Sequence, residues 1–200
     1  MSHSRLARDL LKQGRYTDAL RVATEVGSSD CGYASARLVA LRVLMEQARF
    51  AELTGLLDDT PAEVFTRDED GRVLAAWRCY AQALIMPAGR GDVLEQVSAE
   101  LAIAGDAGSS TRLGVEASAL RARLTRLRVL YAESPHTASR AAADGFARAA
   151  DGYRQLGLLP DAWEATLLRC RALRALPDEP PEPVSALLDE FDQKYNGPFS

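Results

Sequence analysis

Apolar residues recur at steps of three and four along most of this chain, which is the spacing of one face of an α-helix. The stretch from about Arg5 to Val26 shows two such stripes with Gly14 between them, so it predicts two short helices joined by a tight turn. The stripes are Leu6, Leu10 and Leu11 in the first helix, and Ala19, Leu20, Ala23 and Val26 in the second.

The same spacing continues along the chain and predicts about ten helices in total. We expect a second hairpin over about 33–59, a third pair over 72–86 and 91–104, long helices over 111–132 and 136–156, a helix after Gly157 and a closing helix over 184–194. The expected breaks are an acidic loop at 68–71, a turn at Pro87 and 89–91, a connector at 105–110, and Ser134-Pro135. The helix over 111–132 has a packing seam of Leu113, Ala117, Leu120, Leu124, Leu127 and Tyr131.

Composition strengthens the helical prediction and narrows the function classes. Alanine and leucine dominate and β-branched residues are sparse, which favours helix throughout. Apolar residues make up 47% of the chain, enough for a continuous core. The formal net charge of −4, with a pI near 5.3, argues against a protein that coats nucleic acid or membranes.

Cysteine usage and the start of the chain indicate a cytoplasmic protein. Cys31, Cys79 and Cys170 are odd in number and far apart, so neither a disulfide framework nor a structural zinc site is expected. The start, Met1 to Arg5, leads into a mixed charged and apolar run without the pattern of a signal peptide. Abundant Ala with Arg in place of almost all Lys suggests a high-GC bacterial genome.

Short segments recur at the turns. Lys12-Gln13-Gly14-Arg15-Tyr16 returns as Glu46-Gln47-Ala48-Arg49-Phe50, with Ala48 in the place of Gly14. Gly157-Leu158-Leu159-Pro160-Asp161-Ala162 mirrors the segment from Gly14 to Ala19. The interval from Gly14 to Gly157 is not a whole multiple of the interval from Gly14 to Ala48. The repeat frame must therefore slip, and we expect the slips across 60–71 and 105–135.

The interval from Gly14 to Ala48 equals the period of the tetratricopeptide repeat, about 34 residues, and the segment resembles this helical hairpin, which stacks into arrays. The resemblance rests on Gly14, Tyr16, Ala19 and Ala23, and Trp77 falls at the family's Trp position in one alignment of a third unit. The second repeat departs from the family pattern, since Leu53 occupies the position where the family has Ala, and Ala48 occupies the position of the turn Gly. The resemblance implies an all-α fold of antiparallel helical hairpins, stacked into a right-handed superhelical solenoid.

The resemblance also implies a domain organisation. We expect a repeat domain over 1–177, followed by an acidic, Pro-rich linker and a short capping helix over 178–200. Exposed ends of solenoids need such caps.

No motif in the chain indicates catalysis, a metal or a cofactor. Glu133 and His136 have the Glu-x-x-His spacing of di-iron bundles, but Pro135 interrupts the helix that the motif needs, and a second copy is absent. We find no Gly-x-Ser-x-Gly and no phosphate-binding loop. We therefore expect a protein that is not an enzyme.

Basic and amide side chains mark a candidate binding face. The first helix of each hairpin lines the concave surface in the repeat family, and members that bind acidic peptide ends use such side chains there. Arg8 and Arg42 occupy the same position of successive repeats, and Lys12 lies one turn after Arg8. Arg78 and Gln82 fall on the corresponding face of the third repeat. An Arg-rich protein also carries arginines on any exposed helix, so this alternative stays open.

A second basic face is expected in the later helices, around Arg121 and Arg128. Residues 111–177 have a net charge of +5, and residues 178–200 have a net charge of −5. Solvated helix faces with an acidic tail explain these charges, and so does a tail, or an acidic partner, that covers the basic helices.

The function expected from the sequence is a cytoplasmic protein- or peptide-binding scaffold whose partner has an acidic segment. One alternative is a regulatory or sensor module that acts through a transcription regulator or effector partner, since helical-repeat arms of this kind occur in such regulators. Another is an accessory subunit of an enzyme complex.

Overall fold

A computed structural model describes residues 2–85, 91–105, 111–128 and 135–176, together with 185, 186 and 189. Within these residues the fold is all-α, as predicted, and contains no strand. The helices are α1 (His3–Lys12), α2 (Tyr16–Thr24), α3 (Tyr33–Glu46), α4 (Phe50–Asp58), α5 (Val64–Arg67), α6 (Glu69–Ile85), α7 (Gly91–Gly105), α8 (Arg112–Arg128), α9 (Pro135–Gln155) and α10 (Leu159–Leu173).

Internal contacts divide the chain into two compact units, Met1–Glu100 and Leu101–Ser200, so the division falls within α7. The predicted domain boundary at residue 177 lies outside the described residues, and so do all residues of the predicted closing helix except 185, 186 and 189. None of the described helices combines the length and apolar composition that crossing a lipid bilayer requires.

Helix α3 is the centre of the first unit. It packs against α1, α2, α4 and α6, while α1 also packs against α2, and α5 against α6. A helix that is apolar on all sides must be surrounded by other helices, and α3 fits this rule. Its buried apolar residues are Tyr33, Ala34, Ala36, Leu38, Val39, Ala40, Leu41, Val43 and Leu44.

Helix α9 is the centre of the second unit and packs against both α8 and α10. Two apolar clusters fill the space between these three helices. One contains Ala122, Ala142, Ala143, Phe146, Cys170, Ala172, Leu173 and Leu176; the other contains Val115, Ala119, Ala149, Ala150, Tyr153, Ala162 and Ala165.

Two glycines of α9 let its backbone approach α8 closely. A Cβ at Gly145 would lie 2.8 Å from the Cβ of Ala122, and one at Gly152 would lie 2.6 Å from Cγ2 of Val115. The later glycine of α9 thus meets the earlier residue of α8, which shows that the two helices are antiparallel. Four residues of the predicted seam of α8 are also buried, namely Leu113, Ala117, Leu120 and Leu124, so α8 buries two faces rather than one. Of the other two, Leu127 is half-buried and Tyr131 lies outside the described residues.

Three turns share one backbone geometry. Gly14, Ala48 and Gly157 have φ values of 71°, 53° and 70°, in the left-handed region. At each turn, this residue donates its N–H to the carbonyl three residues earlier, and the following N–H bonds to a carbonyl five residues earlier. This pair of bonds is the Schellman motif, which ends a helix. The three segments that the sequence aligns at these turns are therefore equivalent in conformation.

The acidic run 68–71 is not a loop, and this prediction was wrong. Asp68 precedes α6, and its Oδ1 accepts a hydrogen bond of 2.8 Å from the N–H of Gly71. Asp68 therefore caps α6, while Glu69 and Asp70 in the first turn interact favourably with the positive end of the helix dipole. The short helix α5, which precedes this cap, was not predicted either.

Candidate functional site

The five residues predicted to bind a partner lie on the three helices α1, α3 and α6 of the first unit. These helices are in contact in succession, α1 with α3 and α3 with α6. Arg8 of α1 is half-buried, and its Nη2 donates a hydrogen bond of 2.7 Å to Oγ of Ser35 on α3. Ser35 is itself buried, with 3% of its surface exposed. Arg8 therefore bridges α1 to α3.

Arg42 makes the next bridge along the unit, from α3 to α6. Its guanidinium carbon lies 5.2 Å from the centre of the Trp77 ring, within the range of a cation–π contact. Trp77 is 5% exposed and meets Tyr80 edge to face, with 6.2 Å between the ring centres. Arg42 has a further interaction as well. Arg8 and Arg42, which share a position in the repeat, thus each reach the next helix of the series.

Arg78 of α6 contacts a helix that precedes it in the chain, whereas Arg8 and Arg42 contact helices that follow them. Its guanidinium carbon lies 4.7 Å from the centre of the Phe65 ring on α5, and Phe65 is buried. The side chain of Arg78 is half-buried, like those of Arg8 and Arg42. All three arginines therefore lie at the edge of the core, where they contact a buried side chain.

Lys12 and Gln82 differ from the arginines because both are exposed. Lys12 is the last residue of α1, where a positive charge is favourable beside the negative end of the helix dipole. The structure thus divides the predicted set into three arginines with buried partners and two side chains open to solvent. Cationic and amide donors of this kind suit carboxylates, because each guanidinium can donate two parallel hydrogen bonds.

The second predicted basic face lies on α8. Arg121 is exposed, while Arg128 is the last residue of this helix and its side chain lies outside the described part. A neighbouring arginine, Arg123, forms an ion pair with Glu164 of α10, and its side chain is only 17% exposed. Arg154 of α9 pairs with Asp151 at 2.7 Å and lies over the ring of Trp163. At least two arginines of this unit therefore have acidic partners within it.

The cysteines are free thiols in different surroundings. Cys31 is exposed, whereas Cys79 lies on α6 and its Sγ donates a hydrogen bond of 3.0 Å to Glu100 of α7. Burial, followed by the hydrogen bond and the negative charge of Glu100, raises the pKa of Cys79 to about 12. Burial also raises the pKa of Cys170. A thiol with a raised pKa is a poor nucleophile at neutral pH.

Within the described residues, His, Cys, Asp and Glu side chains form no group of three that could hold a metal ion. Glu116 of α8 is buried, with 4% of its surface exposed, and it has an interaction partner. The side chains of Glu133 and His136 lie outside the described part of the chain.

Comparison with protein-family models, with curated proteins and with solved structures finds no match to this chain.

The contacts that Ser35, Trp77 and Phe65 make with the arginines were not predicted. Trp77 was assigned to a repeat position without a partner, and Phe65 fell in a segment with no predicted helix. Of the three contacts, the sequence indicates only the one between Arg42 and Trp77. A repeat array places their two helices side by side, and arginine favours aromatic faces.

Proposed function

We propose that the first unit is a protein- or peptide-binding module of the tetratricopeptide type, which captures an acidic segment of its partner. Arg8, Lys12, Arg42, Arg78 and Gln82 supply the polar contacts. The module acts as a scaffold and has no catalytic activity of its own.

The observation that carries this proposal is the row of basic side chains on successively packed helices. Helices α1, α3 and α6 are in contact in series, and each carries at least one of the five residues. The repeated turn at Gly14 and Ala48 supports the assignment of hairpins to the tetratricopeptide type, because it gives both hairpins the same backbone at the same repeat position. The same turn at Gly157 supports a further hairpin in the second unit.

Charge supports an acidic partner. Helix α1 carries Arg5, Arg8 and Lys12 against Asp9, so its charge is positive although the whole chain is negative. Opposite charges on a partner accelerate its association and orient it. The three free thiols support a reducing compartment, and we propose the cytoplasm.

A charge-reversal pair tests the proposal without disturbing the three arginine bridges. Lys12→Glu with Gln82→Glu changes only exposed side chains and adds three negative charges to the face. The matched control is Arg21→Glu with Thr24→Glu, which adds the same charge to exposed positions of α2. The probe is a fluorescein-labelled peptide of ten glutamates, and binding is measured by fluorescence anisotropy.

We expect wild-type protein to bind the probe and to lose affinity as salt rises, since exposed charge pairs are screened. The Lys12 and Gln82 double variant should bind about tenfold more weakly, in line with exposed pairs worth about 0.2–1 kcal/mol each and reversed in sign. The α2 control should bind within about twofold of wild type. Equal losses in the two variants would show that net charge, and not this face, governs binding.

A further inference from the structure

We propose that the acidic segment after α10, Asp178 to Glu182, binds the arginine-rich end of the second unit. We call this surface the basic end and define it as residues 123–128 of α8, 135–143 of α9 and 165–176 of α10. The inference goes beyond the function proposed for the first unit. It assigns the basic end an occupant from the same chain, which shields these arginines from other polyanions.

Antiparallel packing brings the three segments of the basic end together. One apolar cluster joins early residues of α9, such as Ala142, to late residues of α8 and α10, such as Ala122 and Leu173. The other cluster joins late residues of α9 to early residues of α8 and α10. The ion pair of Arg123 with Glu164 connects α8 directly to α10. Since α8 and α10 both run antiparallel to α9, their last turns lie where α9 begins.

Charge is segregated between the two ends of these helices. The basic end has no Asp or Glu and seven arginines, namely Arg123, Arg126, Arg128, Arg140, Arg169, Arg171 and Arg174. The remaining parts of α8, α9 and α10 contain four arginines and five acidic residues, and the segment between α8 and α9 adds Glu133. Arg123 is paired with Glu164, Arg140 has an interaction partner, and the side chain of Arg128 lies outside the described part.

The other four arginines of the basic end form no ion pair with any residue that the structure describes; they are Arg126, Arg169, Arg171 and Arg174. Arg171 and Arg174 are exposed, and Arg126 and Arg169 are half-buried. The helix dipoles offset little of this charge, since the C-terminal end of a helix carries only about −0.5 elementary charge. Like charges repel one another, so an anionic occupant stabilises this end.

The acidic segment begins at the same end of the unit. Helix α10 ends at Leu173, and Leu176 is still packed in the apolar cluster, with 8% of its surface exposed. The chain is therefore fixed to the basic end as far as residue 176. Asp178, Glu179 and Glu182 follow with no basic residue among them. Attachment at residue 176 makes binding intramolecular, which raises the effective concentration of these carboxylates.

The length of the acidic segment suits the width of the basic end. Residues 177–183 include four prolines, and a proline-rich segment extends by about 3.1 Å per residue. Six such steps reach about 19 Å, whereas neighbouring helix axes are about 8–10 Å apart, so the segment can cross from α10 to Arg126 on α8. Farther along, Ser185, Ala186 and Asp189 are exposed, so we assign the contact to residues 178–182.

Zero-length crosslinking in the full chain tests this contact. A carbodiimide activates a carboxylate, which then forms an amide with a lysine amine, and the chain has only two lysines, Lys12 and Lys194. Arg126→Lys keeps the positive charge and places an amine on α8. The matched control is Arg148→Lys, because Arg148 is exposed on α9 outside the basic end and forms no ion pair with a described residue.

We expect the amine of Arg126→Lys to be joined to residues 178–182, and the amine of Arg148→Lys about tenfold less often, since its effective concentration near the segment is lower. In about 1 M salt, where the Debye length is about 3 Å, the yield at Arg126→Lys should fall about fivefold or more. Mass spectrometry of the joined peptides quantifies both yields, and circular dichroism verifies that both variants are folded. Equal yields in the two variants would overturn the inference.

An equal mixture of ¹⁴N- and ¹⁵N-labelled chains identifies the occupant. Crosslinked peptides that carry a single isotope show that the segment binds within its own chain. Joined peptides of mixed isotope would overturn the inference, because they would show that the segment of a second copy occupies the basic end.

Neutralising the acidic segment tests whether it shields the arginines. Asp178→Asn with Glu179→Gln and Glu182→Gln removes three negative charges and keeps the prolines. In ¹⁵N-edited NMR spectra, the ten-glutamate peptide should then shift amide signals around Arg126 and Arg171, which it leaves unmoved in wild-type protein. Adding Arg171→Glu to the triple variant should reduce these shifts.

Equal shifts at the basic end in wild-type protein and the triple variant would overturn the inference, because they would show that the segment does not shield this surface. The absence of shifts there in the triple variant would also overturn it, since the basic end would then not bind acidic segments. Both readouts lie in the second unit. Failure of the peptide to bind the first unit would therefore contradict the proposed function alone.

Discussion

The two units end helices in the same way but pack them differently. The first unit contains helices grouped around α3, with arginines that contact Ser35, Trp77 and Phe65 on neighbouring helices. The second packs α8, α9 and α10 together, with glycines and alanines where α8 meets α9 and with an ion pair between Arg123 and Glu164. A shared turn motif thus specifies where helices end, and the side chains between helices determine the chemistry of each surface.

The largest expected difference between the units lies at their close-packed glycines. A Cβ at Gly71 in the first unit would lie 2.0 Å from the carbonyl oxygen of Val64, and a backbone atom cannot rotate away. We expect Gly71→Ala to destabilise the protein by about 3 kcal/mol or more. At Gly152 in the second unit the neighbour is the Val115 side chain, at 2.6 Å from Cγ2.

Gly152→Ala should cost only about 1–2 kcal/mol, because overpacking is partly offset by the higher helix propensity of Ala. Denaturant unfolding of both variants measures the two values. Equal losses would mean that α8 and α9 are as tightly constrained as the contact of α5 with α6.

The turn residues give a smaller effect that should be the same in both units. Gly14 and Gly157 have positive φ, and a Cβ at either position would meet nothing within 4 Å, so substitution costs backbone strain alone. Gly14→Ala and Gly157→Ala should each cost about 1 kcal/mol. Ala48 has the same left-handed conformation, but its Cβ adds steric strain that glycine avoids.

Ala48→Gly should therefore raise stability, by about 0.5 kcal/mol after the greater chain entropy of unfolded glycine is counted. Thermal melting of the three variants tests this pattern of two losses and one gain. A loss in Ala48→Gly would show that the three turns are not equivalent.

At neutral pH the smallest effect is expected at the thiols of half-buried Cys79 and buried Cys170, whose ionisation affects stability only at alkaline pH. Well below pH 9.0, the ordinary pKa of a thiol, Cys79 and Cys170 are protonated in folded and unfolded chains alike. Because the pKa of Cys79 is raised from 9.0 to about 12, the unfolded thiol loses its proton first as pH rises, so stability should fall between these values. At neutral pH a thiol reagent should modify the exposed Cys31 first, and Cys79 and Cys170 slowly.

Substitution of Glu100 by Gln sharpens this prediction. It removes the negative charge that adds to burial at Cys79, so labelling of Cys79 at alkaline pH should accelerate while that of Cys170 stays the same. Mass spectrometry of the labelled peptides resolves the three sites. An equal change at both cysteines would point to general loosening of the fold.

The sequence predicted the elements better than it predicted the contacts between them. Periodic apolar residues located nine of the described helices, and repeated turn residues located three helix ends, because both signals are local. Helix α5 has only four residues, too few to show a helical period. The cap at Asp68 appears in the sequence only as Asp followed by two acidic residues and Gly71, a composition that is also typical of a surface loop.

The sequence predicts which residues form the candidate site, but it does not predict which side chains surround them. Arg8 and Arg42 followed from the repeat frame, whereas their partners Ser35 and Trp77 depend on how successive helices rotate against each other. That rotation is set by packing over many residues, which a one-dimensional pattern does not specify. The same reason explains why the second buried face of α8 was missed.

The most direct test of the central claim is to map where an acidic peptide binds. Amide and indole signals in ¹⁵N-edited NMR spectra, recorded during titration with the ten-glutamate peptide, report both units in one experiment. Binding by the first unit predicts shifts in α1, α3 and α6, including the Trp77 indole, with α8, α9 and α10 unaffected. Shifts confined to α8, around Arg121, would contradict the account and assign binding to the second unit.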